Sequence, residues 1–228
     1  MNKVEPGEGV SIPGRLRARL GLKLFLLVFL NLWVYAPYFY LQKHQFFPVT
    51  VMPESGLDSL IPFSSGAAWL YLSIYLLMPV GPFLMKERGE ILRYAAGIIL
   101  TGLCANIIFI FWPTACLRPG VLETNVAYQF LVTVDNSYHA FPSLHAAFAV
   151  YSALCGARMM RELGRPAVQA CLWLWAGLIL YATLATKQHV TADIIAGAAL
   201  GFAVYACVFV KWLSMFNLGG RRKLSPST

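Results

Sequence analysis

Six apolar stretches decide what this chain can fold into, because each is close to the roughly 20 residues that a helix needs to cross a hydrocarbon layer about 30 Å thick. They run from about Leu22 to Leu41, Gly66 to Met85, Arg93 to Trp112, Phe141 to Arg158, Ala167 to Thr186 and His189 to Trp212, separated by charge, proline or glycine. With 58% of the 228 residues apolar and only 12% charged, there is too little charge to cover a water-soluble globule. Within lipid every backbone amide must be satisfied internally, so the expected fold is all-α: a polytopic membrane bundle of six transmembrane helices. The opening run is too long for a signal peptide and lacks a small-residue cleavage site, so it reads as the first membrane helix.

The net charge of +8 is not a nucleic-acid signature, because the basic residues come in short clusters between the apolar runs. Short loops rich in Lys and Arg stay in the cytoplasm. One side receives Lys3, Arg15, Arg17, Arg19 and Lys23, then Lys86, Arg88 and Arg93, then Arg158, Arg161 and Arg165, then Lys211, Arg221, Arg222 and Lys223. Of the 18 basic residues only Lys43, Arg118 and Lys187 fall on the other side, which predicts both termini in the cytoplasm and three outward loops. This divides the chain into a cytoplasmic amino-terminal segment (1–21), a six-helix membrane domain (22–213) and a carboxy-terminal tail (214–228). The tail has nothing to bury and is expected to be disordered and cytoplasmic. The two long outer loops, about 42–65 and 113–140, are rich in proline and poor in helical periodicity, and read as caps over an outward-facing site. The chain has no internal repeat, which counts against an inverted-repeat transporter. Five cysteines are scattered singly and four lie in apolar runs, the pattern of small buried hydrophobes rather than of a disulfide framework or zinc site.

In so apolar a chain the informative positions are ionisable groups at or inside a span, each costing about 2.5–3.5 kcal/mol to insert. Asp193 lies one turn into the sixth span. His189, four residues earlier, is expected on the same helical face, where the carboxylate would accept a hydrogen bond from one imidazole nitrogen and leave the other more basic. Such a spacing is common by chance, and its depth in a membrane helix is what gives it weight. The second group is Phe141-Pro142-Ser143-Leu144-His145 at the start of the fourth span. Proline suits a first helical turn, and the free amides of that turn, those of Ser143, Leu144 and His145, would form an anion site. The topology brings His145, His189 and Asp193 to one membrane surface with Arg118 and Lys187 beside them. Unaided, the residues say no more than "anion site with an activated histidine".

Ala140-Phe141-Pro142-Ser143-Leu144-His145, followed 44 residues later by His189 and then Asp193, resembles the type-2 phosphatidic acid phosphatase and vanadium haloperoxidase superfamily. Its signature is Lys-x6-Arg-Pro, then Pro-Ser-x-His, then Ser-Arg-x5-His-x3-Asp, and the match covers roughly 111–200. Arg118-Pro119 fits the first part, but Phe111 stands where Lys is expected, and Ala182-Thr183 replaces Ser-Arg. Lys187 is the candidate replacement cation. This pattern, with Asn136 just upstream, is similar to the inositol phosphorylceramide synthase branch, which moves head groups between lipids. The resemblance implies that His189 attacks phosphorus and becomes a phosphohistidine, with Asp193 orienting it and His145 protonating the leaving alkoxide. Arg118, Lys187 and the amides around Ser143 and Leu144 would hold the phosphoryl oxygens. Asn136, His139 and Thr183 are secondary candidates.

The expected protein is thus a multi-pass cell-membrane enzyme facing the non-cytoplasmic side. Its partners are a lipid substrate and the bilayer, and neither cofactor nor metal is required. A small transporter and an inactive scaffold of the same fold are the competing readings. His139 reads more simply as a solvated loop histidine, Asp135 as a loop acid pairing with Arg118 or His139, and Tyr35, Tyr38, Tyr40 and His44 as an interfacial belt.

Overall fold

A computed structural model describes residues 11–120 and 124–211. The described chain is built of helices: α1 (Ile12–Arg17), α2 (Leu20–Lys43), α3 (Gly56–Leu60), α4 (Ala67–Leu72), α5 (Ile74–Leu77), α6 (Val80–Leu84), α7 (Arg88–Phe111), α8 (Val126–Val134), α9 (Leu144–Glu162), α10 (Pro166–Ala185) and α11 (Thr191–Tyr205), the last continuing as a π-helical segment, Ala206–Lys211. Two short strands, β1 (Thr50–Val51) and β2 (Thr114–Ala115), pair in parallel and tie the two long connections together. The expected carboxy-terminal tail and Trp212 lie outside the described residues.

Five segments are long and apolar enough to cross a membrane: Leu20–Lys43, Ala67–Leu84, Arg88–Phe111, Pro166–Ala185 and Thr191–Val210. The fourth expected span is present as α9 but is not among them. Its position explains the difference. α9 packs against α5, α6, α7, α10 and α11, and Ala146, Ala149, Tyr151, Ala153, Cys155 and Met159 along it are wholly buried. A helix wrapped by other helices meets little lipid, so its sequence carries small and polar residues rather than a continuous apolar run.

The second stretch is not one smooth rod but three short helices in line. Pro79 and Pro82 lack amide donors, and the Ser73 hydroxyl turns back onto the Leu70 carbonyl at 2.6 Å. The connections hold more structure than their proline content suggests. α3 opens with a reciprocal Ser55–Asp58 capping box. α8 is a nine-residue helix capped by the Asn125 side chain, which corrects the expectation of an irregular loop over 113–140. An amphipathic stretch of that length carries too weak a period to stand out in sequence.

Two glycines one turn apart fix the seam between α9 and α11. A Cβ at Gly197 would collide with the Ser143 carbonyl oxygen, and one at Gly201 with that of Ala147. Small residues let the two backbones touch, and this draws the start of α9 against the start of α11. At the opposite end Arg158 reaches from α9 to Glu90 on α7 at 2.8 Å.

Candidate active site

α9 begins at Leu144 with Ser143 as its cap, the Ser143 hydroxyl accepting from the Ala146 amide at 3.2 Å. Pro142, joined to Phe141 by a cis peptide bond, therefore precedes the helix instead of opening its first turn. The Ser143 amide donates to the Asp193 carbonyl at 3.0 Å and is spent. Leu144 and His145 occupy the first turn, whose amides have no intrahelical acceptor.

His189 and Asp193 do not share a helical face as expected. α11 starts at Thr191, so His189 sits in the preceding turn, next to Lys187 at φ 54°. Asp193 is the third residue of α11, and its carboxylate folds back to accept from the Val190 amide at 3.0 Å and the Cys116 thiol at 3.2 Å. That capping geometry leaves its Oδ2 3.5 Å from His189 Nδ1. The nearer partner of Nδ1 is the Ala140 carbonyl oxygen at 3.0 Å. A carbonyl can only accept, so Nδ1 carries the proton and Nε2 keeps a free lone pair. Cys116, expected only as a filler, is a buried donor to the acid. Burial, and after it the Asp193 charge, push its thiol pKa up.

His145 is held from a direction the sequence did not suggest. Its Nδ1 lies 2.9 Å from the Tyr71 hydroxyl, with the two rings stacked at 3.9 Å between centroids. Its Nε2 is buried and without a partner. His145 and His189 line one cavity, together with Tyr35, Tyr38, Tyr71, Tyr75, Asp135 and His139. A smaller one is lined by His189 together with Lys187, Cys116 and Asp58.

The two candidate cations are engaged with backbone. Arg118 donates from Nη1 and Nη2 to the carbonyls of Asp135 (2.6 Å) and Asn136 (2.9 Å), while its Nε is buried and unpaired. Lys187 donates to the carbonyls of Asp58 and Ile61, both at 2.8 Å. Asp58 in turn binds the Thr191 amide and hydroxyl at 2.7 and 2.6 Å. Lys187 and Asp58 thus clamp both ends of the turn that carries His189. Burial would raise the Asp58 pKa, but its bonds to Ser55 and Thr191 outweigh that and hold it below the ordinary value.

The secondary candidates divide. Thr183 is buried with its hydroxyl on its own helix, at the Leu180 carbonyl, and does not line the cavity. Asn136 is exposed, its amide on the Gln42 side chain. His139 is no solvated loop residue: at 2% exposure and φ 63°, it is packed against Phe109 and Tyr38. Asp135 makes no hydrogen bond to His139 or direct salt bridge to Arg118, whose charge still acts on it, and it accepts from the Tyr38 hydroxyl at 2.7 Å and from Gln42. Tyr35 and Tyr38 line the cavity and are not belt residues, whereas Tyr40 is exposed and stacked on His44.

Among the described residues no group of three His, Cys, Asp or Glu is arranged to hold a metal ion. No curated protein and no solved structure matches the chain. A family model for the PAP2 superfamily matches residues 90–217, from the first turn of α7 to beyond α11, and takes in Arg118, His145, Lys187, His189 and Asp193, while Asp58, Tyr71 and the cavity's Tyr35, Tyr38 and Tyr75 lie before it. By that match over more than half its length the chain belongs to the PAP2 superfamily, a family of phosphoric ester hydrolases, and is a multi-pass membrane protein of phosphatase type.

Proposed function

We propose that the protein removes or transfers the phosphoryl group of a phosphorylated lipid at the non-cytoplasmic face, through a phosphohistidine at His189. The observation that carries this reading is the pair of histidines lining one cavity: His189 with Nδ1 fixed by the Ala140 carbonyl, and His145 with an unpartnered Nε2. His189 Nε2 attacks phosphorus, and the P–O bond to the lipid breaks as His145, protonated, gives its Nε2 proton to the departing oxygen. The Tyr71 hydroxyl can accept from or donate to Nδ1, so it holds the ring in either charge state. His145 then takes a proton from water or from an alcohol, whose oxygen displaces His189. The Leu144 and His145 amides and the charges of Arg118 and Lys187 stabilise the phosphoryl oxygens. The supporting topology is six crossings with both termini cytoplasmic, α9 being the crossing enclosed by the others. The replacement of the third motif's arginine by Thr183 favours the head-group-transferring branch.

Radiolabelled phosphatidic acid given to the detergent-purified chain, followed by an alkaline quench, tests it. The wild type retains an acid-labile, base-stable label and releases phosphate, and His189→Ala does neither. Full turnover by His189→Ala overturns the reading. The backbone engagement of Arg118 and Lys187 favours a second reading, an inactive scaffold, which predicts no label in the wild type and no binding of vanadate.

A further inference from the structure

The cavity holds more polar chemistry than phosphoryl transfer uses. His139 is 2% exposed, yet neither of its ring nitrogens has a hydrogen-bond partner. Leaving buried polar atoms unpaired costs about 1–3 kcal/mol. The residue is held there by aromatic packing, its ring centroid 4.9 Å from that of Phe109 and 5.9 Å from that of Tyr38. Asp135, bonded to the same Tyr38 whose ring packs on His139, spends Oδ1 on two donors from α2, Tyr38 and Gln42, while its Oδ2 makes no hydrogen bond among the described residues. Both residues line the cavity that His145 and His189 also line.

The chemistry of this pair selects its ligand. A carboxylate repels a phosphate, so the group beside Asp135 is not the one being transferred. A neutral imidazole offers one N–H, which a hydroxyl oxygen can accept through its lone pairs and an ammonium, having none, cannot. Burial pushes the His139 pKa down to about 4, which keeps the ring neutral at physiological pH.

We infer that Asp135 and His139 form a polyol subsite, binding one hydroxyl of an acceptor whose neighbouring hydroxyl is aimed at the phosphohistidine. This rests on the reading above and names its acceptor. In the second half-reaction the P–N bond to His189 breaks, its electron pair returning to the imidazole. The new P–O bond forms to the acceptor, and the proton of that reacting hydroxyl passes to His145 Nε2. Asp135 accepts from the second hydroxyl and the His139 N–H donates to the same oxygen, without touching phosphorus.

The test supplies dioctanoyl phosphatidic acid as donor with propylene glycol or propanol, acceptors that differ by one hydroxyl, and measures alkyl phosphate against free phosphate. A site built to bind a hydroxyl discriminates strongly against the analogue lacking it. The wild type is expected to favour the glycol by about tenfold or more, and Asp135→Asn and His139→Asn to bring the two within about threefold. Asn accepts the left-handed backbone at 139. Because the readout is a ratio of products, partial misfolding does not alter it. Equal use of the two alcohols by the wild type, or an undiminished preference in both variants, overturns the subsite. Hydrolysis without transfer to either alcohol overturns it too while leaving the phosphatase reading intact. A wild type that neither forms the phosphoenzyme nor releases phosphate removes both.

Discussion

The Tyr71 hydroxyl stands 2.9 Å from His145 Nδ1, and the phenol ring lies flat against the imidazole at 3.9 Å. One residue thus fixes both the position and the tilt of the ring whose other nitrogen is buried without a partner. Tyr71→Phe keeps the stacking and removes the bond. It is expected to lower kcat about tenfold or more while KM stays within a factor of about two, since general acid–base contributions are roughly 100- to 10,000-fold and depend on orientation. Steady-state kinetics on a soluble phosphatidic acid checks this, and an unchanged kcat would detach Tyr71 from the site.

The seam between α9 and α11 gives a paired prediction. Gly197→Ala drives a methyl into the Ser143 carbonyl, a backbone atom that cannot step aside, and overpacking of this kind costs about 1–3 kcal/mol. A Cβ at Gly177 on α10 meets nothing within 4 Å. Gly177→Ala should therefore leave the Tm level or slightly raised, while Gly197→Ala lowers both Tm and activity. Thermal unfolding in detergent distinguishes them.

Asp58 anchors the turn that carries His189 through the Thr191 amide and hydroxyl. Its pKa is held below the ordinary 3.8, so the anchor contributes stability above that value and loses it as pH falls through the lower native value. Asp58→Asn is expected to reduce stability by about 2 kcal/mol at neutral pH, as for a hydrogen bond to a charged group. The difference from the wild type should shrink on acidification below about 3.8. A Tm gap that persists unchanged at low pH would show that the charge is not what anchors the turn.

His139 gives the opposite part of the pH scale. Its native pKa of about 4 lies below the ordinary 6.5, so the unfolded chain takes up the proton first. The stability it contributes is complete above about 6.5 and drains away as pH falls towards about 4. His139→Asn should flatten the fall in Tm between those pH values, measured on the same detergent-solubilised protein. Parallel curves for the two proteins would contradict the buried neutral ring.

How far the sequence could be read depended on the distance over which each feature is set. Five of the six expected spans were legible because hydrophobic length is local, whereas the fourth is a helix, α9, without the continuous apolar run of the other five, because its surroundings are other helices. The histidine motifs were legible as residue types. Their partners were not: Cys116 looked like any small apolar residue, and Tyr71 like one more aromatic in a membrane helix. The helical spacing of His189 and Asp193 suggested a direct bond, yet the chain placed the histidine before the helix, where the Ala140 carbonyl reaches it first.

By itself the sequence determined an all-helical membrane chain with two histidines and an acid in PAP2 order, because apolar run length and motif spacing are properties of neighbouring residues. Only the tertiary structure decided which atoms those groups touch. Ala140 lies 49 residues from His189, Tyr71 lies 74 from His145 and Tyr38 lies 97 from Asp135. Over such separations no periodicity operates. Close packing of separate helices, here permitted by glycines at 197 and 201, sets the contacts to within a bond length.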